Sequence, residues 1–230
     1  MVTRSRATHV IIMGPQGAGK GTQAVVVAPR LGLAHVATGD LFREVMASDT
    51  DLGKEIRSYY DRGALVPDDL TIRMLMARVD HVLKGDPNLR GMLLDGFPRN
   101  QVQAEALDEA LRERGDRLAA VVHVDVPRDI LMDRLTGRLI CPSCGATYHR
   151  VFNPPKQEGT CDVCGSTLTQ RSDDTPEAVE RRLSIYYEQT EPVLAYYRKS
   201  GLLLDVDGDR PIDEVSASII DGLRNRLDAS

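Results

Sequence analysis

The chain has 230 residues, and its formal charge of −5 comes from 29 lysines and arginines against 34 aspartates and glutamates. This acidic balance argues against non-specific binding to nucleic acid or to an acidic membrane. Hydrophobic residues make up 42% of the chain and aromatic residues only 4%, so we expect an aliphatic, globular core. No run approaches the ~18 apolar residues of a membrane span, and together with the polar start this favours a soluble, cytoplasmic protein.

Short apolar runs alternate with helical patterns along most of the chain. The predicted strands are 8–13, 34–37, 91–95, 118–125 and 202–206. The predicted helices are 20–30, 38–47, 52–62, 68–83, 101–114, 128–138, 174–199 and 212–227. We expect Thr38 to cap the second helix, the stretch from Asp174 to Glu177 to open the seventh with a capping box, and Pro192 to kink or split that helix. The alternation predicts an α/β fold with a five-stranded parallel sheet and helices on both faces.

A glycine-rich loop follows the first strand: residues 14–22 read Gly-Pro-Gln-Gly-Ala-Gly-Lys-Gly-Thr. Glycines let backbone N–H groups approach phosphate oxygens, and the N-terminus of the next helix adds partial positive charge. We expect Lys20 to reach the outer phosphates and a hydroxyl to help hold hydrated Mg²⁺. The general P-loop has Ser or Thr directly after the lysine, whereas here Gly21 intervenes before Thr22. A strand-to-helix turn without a ligand is the competing interpretation.

All four cysteines lie between residues 141 and 164, in a stretch without helical periodicity. Cys141 and Cys144 form one Cys-x-x-Cys pair, and Cys161 and Cys164 form another, sixteen residues later. This spacing is typical of a four-thiolate zinc site. Disulfides and a redox dithiol pair are the alternatives, and a reducing cytoplasm disfavours the first. Because four thiolates leave no open coordination position, we expect the zinc to be structural.

Seven segments together resemble the adenylate kinase family, in that family's order, from residue 9 to about 211. They are residues 14–22, 38–43, 63–66, 94–99, 133–138, 169–174 and 181–183. The resemblance implies a nucleoside monophosphate kinase-like P-loop core formed by residues 1–36, 67–136 and 175–230. It also implies an AMP-binding insert at 37–66 and, as in many bacterial members, a zinc-binding lid at 137–174. A monomer is expected from the family alone.

The resemblance also implies roles for individual residues in Mg²⁺-dependent phosphoryl transfer between ATP and AMP, giving ADP. The catalytic set is Lys20, Arg99, Arg138, Arg171 and Arg182. The ATP contacts are Gly17, Ala18, Gly19, Lys20, Gly21, Thr22, Arg134, Arg138, Thr147, Tyr148, Gly208 and Arg210, where the family often has lysine in place of Arg210. The AMP contacts are Thr38, Arg43, Ala64, Leu65, Val66, Gly96, Phe97, Pro98, Arg99, Gln103, Arg171 and Arg182. Asp95 corresponds to the acid near the waters of Mg²⁺.

Planar, permanently charged guanidinium groups suit this chemistry, because phosphoryl transfer depends on positioning and on stabilising negative charge. No general base is required, since the phosphate of AMP is already a nucleophile. Two alternatives stay open. One is a related kinase with a different base, such as a GTP:AMP phosphotransferase; Thr38 and Gln103, which help to read adenine in the family, favour AMP. The other is a non-catalytic zinc-ribbon nucleotide sensor, against which the intact Lys20 argues.

Overall fold

The computed structural model describes residues 6–61, 66–170 and 174–228. The strands in these ranges are β1 Thr8–Met13, β2 Leu33–Ala37, β3 Gly91–Asp95, β4 Arg117–Asp125, β5 Arg138–Ile140, β6 Thr147–His149 and β7 Leu203–Asp207. The helices are α1 Lys20–Arg30, α2 Thr38–Ala47, α3 Asp51–Asp61, α4 Asp68–Gly85, α5 Gln101–Glu113, α6 Arg128–Thr136, α7 Pro176–Ile185, α8 Pro192–Lys199 and α9 Ile212–Asp228, with a π-helical turn at Tyr186–Thr190. All five predicted strands are present.

The main sheet is parallel, with strand order β2-β3-β1-β4-β7, which confirms the predicted five-stranded parallel sheet. The central strand, β1, pairs with β3 through Val10 and Leu93 and with β4 through Val10 and Ala120. Because parallel strands end at the same edge, the loops after β1, β3, β4 and β7 share one edge of the sheet. Ligands of open α/β sheets bind at this carboxyl edge.

Each face of the sheet carries its own hydrophobic core. Val10 and Ile12 of β1 belong to one buried cluster, which also takes side chains from α1, α6, α7 and α9. Ile11 and Met13 belong to the other cluster, which takes side chains from α4, α5 and α8. This alternation along one strand is expected for a strand covered on both faces. No helix within the described ranges is long and apolar enough to cross a bilayer.

Two predicted positions around the second and sixth helices are wrong. Thr38 is not the cap of α2 but its first helical residue, preceded by Ala37. The hydroxyl of Thr38 instead donates to the carbonyl oxygen of Gly96 at 3.0 Å, because the end of β3 lies beside the start of α2. The sixth helix ends at Thr136, so Arg138 begins a strand instead of ending a helix.

The predicted start of the seventh helix is also shifted. Thr175 caps α7, and its hydroxyl accepts the backbone N–H of Ala178 at 3.3 Å. The predicted capping box from Asp174 to Glu177 is therefore wrong. Asp174 is instead fully buried, where its carboxylate binds arginine side chains. Pro192 does split the helix: a π-helical turn precedes it and α8 begins there, as expected of a residue without an N–H donor.

Residues 138–170 form a compact segment that we call the cysteine module. Its β5 and β6 strands pair antiparallel, with Leu139 opposite Tyr148. The buried cluster of this module consists of Cys141, Tyr148, Cys161 and Leu168. The module thus has very little apolar core of its own.

Candidate active site

The loop from β1 to α1 has the features of a phosphate cradle. Gly17 has a φ of +84°, and a Cβ atom there would lie 2.9 Å from Cγ of Leu135, so α6 packs directly against the loop. Gly19 precedes α1 in the left-handed conformation, and no side chain from the described part of the chain caps the helix. The first N–H groups of α1 are therefore available to an anion, and the helix dipole favours negative charge at this position.

Lys20 lies at the centre of this cradle. Its Nζ donates to the carbonyl oxygen of Pro15 at 2.8 Å, which folds the side chain back over the loop. Burial is the main cause that lowers the pKa of Lys20 to about 8; the charge of Asp95 opposes this shift, and the charges of Arg99, Arg138 and Arg182 contribute to it. An ammonium group uses three donors, so Lys20 retains donors for a phosphate.

The charges of Arg99, Arg138 and Arg182 all act on the pKa of Lys20, as does the charge of Asp95. Four of the five predicted catalytic residues therefore lie in one region of the structure, with Asp95 beside them. The fifth, Arg171, lies outside the described residues. These positive side chains come from the P-loop, the turn after β3, the start of β5 and α7. Four separate elements thus supply cations to one small region, which is the arrangement that binds and stabilises transferring phosphoryl groups.

A buried carboxylate holds two of these arginines. The side chain of Asp174 is 0% exposed, and it accepts hydrogen bonds from Nε of Arg138 at 2.8 Å and from Nη1 of Arg182 at 3.2 Å. Nη2 of Arg138 completes a bidentate pair at 2.5 Å. Sequence reasoning missed this role, although Asp174 lies within the motif at 169–174. In the sequence, Asp174 is an acidic residue directly before a predicted helix, and we interpreted this pattern as a helix cap.

Asp95 lies at the end of β3, next to the phosphate cradle. A Cβ atom on Gly21 would lie 3.5 Å from Oδ2 of Asp95, so the carboxylate faces the first turn of α1. Nε2 of His35, on β2, lies 3.4 Å from the same oxygen. The Thr22 hydroxyl belongs to the same first turn. A carboxylate and a hydroxyl beside a phosphate cradle are oxygen groups suited to hydrated Mg²⁺, so the residues present fit that ion.

The turn after β3 brings together several predicted AMP contacts. Nε of Arg99 donates to the carbonyl oxygen of Gly96 at 2.8 Å, and Phe97 and Pro98 form the turn between them. Gln103 is buried, and both ends of its amide are engaged: Oε1 accepts the N–H of Arg99 at 2.7 Å, and Nε2 donates to Asp68 at 2.7 Å. Sequence reasoning did not single out Asp68.

Other predicted AMP contacts lie in the neighbouring segment. Arg43, on α2, is paired with Asp40 on its own helix. Val66 is buried with Ile56 and Leu70 in a small separate cluster. Ala64 and Leu65 fall outside the described residues.

The predicted ATP contacts that lie outside the P-loop form two groups. Arg134 donates to the carbonyl oxygen of Gly208 at 3.1 Å, next to Arg210, which pairs with Asp207 at 3.3 Å. The second group is in the cysteine module, where Thr147 is exposed. Tyr148 follows it in β6 but is buried, and its hydroxyl points towards Cys161 and not outward.

The four cysteines of the module converge. Their Sγ atoms all lie within 4.8 Å of one another, close to the ~3.8 Å expected around a tetrahedral zinc ion. Both knuckles have the same backbone pattern: the carbonyl oxygen of the first cysteine accepts the N–H four residues later, at 3.0 Å for Cys141 and 2.9 Å for Cys161. All four thiols are free, so the alternative interpretation as disulfides is not what the structure contains. The residues present fit a metal ion that is bound by four thiolates.

The Tyr148 hydroxyl lies behind one of these thiols. It is 3.5 Å from Sγ of Cys161 and accepts the backbone N–H of Asp162 at 2.8 Å. The hydrogen bond between the Tyr148 hydroxyl and Sγ of Cys161 is the main reason that the pKa of Cys161 is lowered, to about 6. A thiol with such a pKa is readily available as a thiolate ligand.

Taken together, a P-loop at the carboxyl edge of a five-stranded parallel sheet and a lysine facing several arginines define a nucleoside monophosphate kinase of the P-loop type. The match to the family model for adenylate kinase extends over residues 12–202. The chain belongs to the adenylate kinase family.

Individual relatives agree with this assignment. The chain is 50% identical over 215 residues to the adenylate kinase of Carboxydothermus hydrogenoformans, covering 94% of this chain and 99% of that one. It is 49% identical over 217 residues to the adenylate kinase of Symbiobacterium thermophilum, covering 94% and 98%. It is 48% identical over 213 residues to the adenylate kinase of Staphylococcus epidermidis, covering 93% and 97%.

Proposed function

We propose that the chain catalyses reversible, Mg²⁺-dependent transfer of a phosphoryl group from ATP to AMP, producing two ADP. The observation that carries the proposal is the convergence of Lys20, Arg99, Arg138 and Arg182 on the P-loop, with Asp95 beside them. The transferring group carries negative charge on several oxygens, and preorganised cations lower the energy of that state more than water does.

Each cation has a distinct task in this proposal. Lys20 and the N–H groups at the start of α1 bind the outer phosphates of ATP, and Arg99 binds the phosphate of AMP. Mg²⁺, when bound, would neutralise phosphate charge, and Asp95 and Thr22 would hold the hydrated ion. Arg138 uses Nε and Nη2 on Asp174, and among the described residues its Nη1 has no such partner, so we assign Nη1 to the moving phosphoryl group.

The two nucleotides are proposed to bind on opposite sides of the P-loop. Residues 37–66 form the AMP insert, and its contacts continue into the turn after β3. Residues 137–174 form the lid over ATP, which excludes water and brings Arg138 to the phosphates. The core is residues 1–36, 67–136 and 175–230. One chain supplies both sets of contacts, which supports a monomer as the working unit.

The cysteine module is proposed to hold a structural zinc ion through Cys141, Cys144, Cys161 and Cys164. The shared hydrogen-bond pattern of the two knuckles supports this proposal. Four thiolates complete a tetrahedral shell, so the metal has no open position for substrate. Free thiols also agree with a reducing, cytoplasmic site of action.

The test is a panel of donors and acceptors in a coupled assay, with and without Mg²⁺. We expect rapid turnover of ATP with AMP, and little with GTP as donor or with CMP, GMP or UMP as acceptor. Turnover without Mg²⁺ should be at background. Faster turnover with GTP than with ATP would indicate the alternative GTP:AMP phosphotransferase, and no turnover with any pair would indicate a nucleotide sensor.

Two variants test the acceptor side. Arg43→Ala and Gln103→Ala should raise the KM for AMP about tenfold and leave the KM for ATP nearly unchanged, because both residues serve only one substrate. Arg73→Ala is the matched control, since Arg73 forms a similar exposed ion pair with Asp69 on α4. A higher KM for ATP with an unchanged KM for AMP would mean that the two inserts are assigned in reverse.

A further inference from the structure

The helix α6 connects the phosphate cradle to the loop after β7. On one side, Leu131 and Leu135 lie against Gly17, where a Cβ atom would be 3.3 Å from the Leu131 carbonyl oxygen. On another side, Arg134 reaches Gly208 and Asp209. One short helix therefore fixes the distance between the phosphate site and the side chain of Arg134.

The loop that Arg134 contacts is itself held tightly. The N–H of Gly208 donates to the carbonyl oxygen of Asp125 at 2.7 Å, and the N–H of Asp209 donates to the Asp207 carboxylate at 2.9 Å. A Cβ atom on Gly208 would lie 2.5 Å from Cγ1 of Val124, so the backbone here packs directly on β4. The carboxylate of Asp209 is consequently presented from a backbone that has little freedom to move.

Two anchors hold the guanidinium plane of Arg134. Its Nη1 donates to the carbonyl oxygen of Gly208 and its Nη2 donates to Oδ1 of Asp209, each at 3.1 Å. Two hydrogen bonds restrict the orientation of this planar group, and its two faces form no hydrogen bonds because all its N–H groups lie in the plane. Such a plane is a stacking surface for a nucleobase.

We propose that Asp209 is a positioning residue that orients Arg134 for stacking on the base of the phosphoryl donor. The inference rests on the proposed function, because it takes the donor to be ATP. In this proposal, α6 sets the distance between the P-loop and the guanidinium plane of Arg134, and Asp209 sets the angle of that plane. Asp209 acts on Arg134 and does not itself bind the nucleotide.

The test compares Asp209→Asn, Arg134→Lys and the double variant by steady-state kinetics. Asp209→Asn should raise the KM for ATP about fivefold, with kcat and the KM for AMP changed less than about twofold, because only base stacking is weakened. Arg134→Lys, which keeps the charge but removes the plane, should have a similar effect. The double variant should be no worse than Arg134→Lys alone, since both changes remove one interaction.

A donor without a base separates stacking from charge. The affinity for inorganic tripolyphosphate, measured by calorimetry, should be the same in Asp209→Asn and in the unmodified protein, whereas the affinity for ATP should fall. Asp221→Asn is the control, because Asp221 forms a comparable exposed ion pair with Arg224 on α9 at 3.4 Å.

The outcomes keep the two proposals apart. If the unmodified protein transfers phosphate from ATP to AMP but Asp209→Asn has an unchanged KM for ATP, the positioning role is wrong and the proposed function stands. Equal losses of affinity for tripolyphosphate and ATP would also overturn it, since they would indicate a charge effect. If the unmodified protein does not turn over ATP and AMP, the proposed function itself fails.

Discussion

The sheet core and the cysteine module both place charged side chains at the candidate site, but they are stabilised differently. The core holds Lys20 on a loop between elements whose buried aliphatic side chains cover both faces of the sheet. The module begins at Arg138, and two of its four buried residues are cysteines. Three other hydrophobic residues of the module, Val151, Phe152 and Val163, are exposed.

This difference has a physical consequence. In the core, the position of a charged residue is set by burial of apolar surface over many residues, so the loss of one polar side chain leaves the backbone in place. In the module, the structure depends on four thiols and few apolar contacts, and a segment that small requires a metal or a cross-link to fold. Variants in the two regions should therefore separate chemistry from stability.

The largest effect is expected in the core. Lys20→Met should lower kcat by about a thousandfold, because the transferring phosphoryl group loses a preorganised cation. Its melting temperature should be unchanged or higher, since burial disfavours the charged amine in the folded protein. The measurements are activity and thermal melting, and the control is Lys199→Met, which changes an exposed lysine at the end of α8. Near-normal kcat in Lys20→Met would contradict the P-loop assignment.

In the cysteine module, we expect a variant to lose local structure and to lose less activity than Lys20→Met does. Cys161→Ser, or removal of the metal with a chelator, should unfold residues 138–170 locally and lower kcat about 10- to 100-fold, because Arg138 loses its support. Hydrogen exchange should become fast at the amides of the module and stay slow in β1, β3 and β4. The affinity for AMP should change little.

Metal analysis provides the control for that experiment. Protein purified without chelator should contain one zinc ion, and Ser143→Ala, an exposed change inside the first knuckle, should keep both metal and stability. Active, reduced protein without any bound metal would defeat the proposed zinc site. Loss of activity on chelation without any change in hydrogen exchange would indicate a catalytic metal instead.

The core was also the easier region to predict from the sequence. Its strands are continuous runs of apolar residues, so the five-stranded parallel sheet follows from local pattern, and the P-loop follows from residues 14–22. The partners of the site residues were harder, because they depend on contacts between distant segments. Asp174 is an example, because its neighbours in the sequence suggest a helix cap. Only the fold shows that Arg138, 36 residues away, donates hydrogen bonds to its carboxylate.

The same limit applies to Tyr148 and Arg138. Residue type and the resemblance indicate an ATP contact for Tyr148, but not the direction of a side chain in a strand of three residues. The end of α6 at Thr136 was missed because Gly137 and Arg138 do not interrupt a helical pattern decisively. The cysteine spacing, in contrast, predicted the convergence of the four thiols, since the two knuckles are local structures.

A smaller effect should come from the titration of Lys20. With a pKa of about 8, this amine is mostly charged at pH 7 and mostly neutral at pH 9 in the free protein. Bound phosphate favours the charged form, so above pH 8 binding requires uptake of a proton. The affinity for a non-hydrolysable ATP analogue should therefore fall by up to about tenfold per pH unit above 8. Calorimetry from pH 7 to 9.5 measures it, and Lys20→Met should lack the dependence.

The smallest effect on catalysis should come from removing the Tyr148 hydroxyl, which contacts Sγ of Cys161. Tyr148→Phe keeps the buried ring but removes the hydrogen bonds to Cys161 and Asp162. Groups that orient metal ligands change metal affinity about 10- to 100-fold, so zinc should leave the variant at least about tenfold faster in a competition assay with a coloured chelator. The KM for ATP should stay within about twofold if the hydroxyl faces the metal site in the working enzyme. Tyr196→Phe, which removes a hydroxyl bonded to Asp108 in the core, is the matched control and should leave zinc release unchanged. If Tyr148→Phe raises the KM for ATP and leaves zinc release unchanged, the result would support the ATP contact that the resemblance implies for Tyr148.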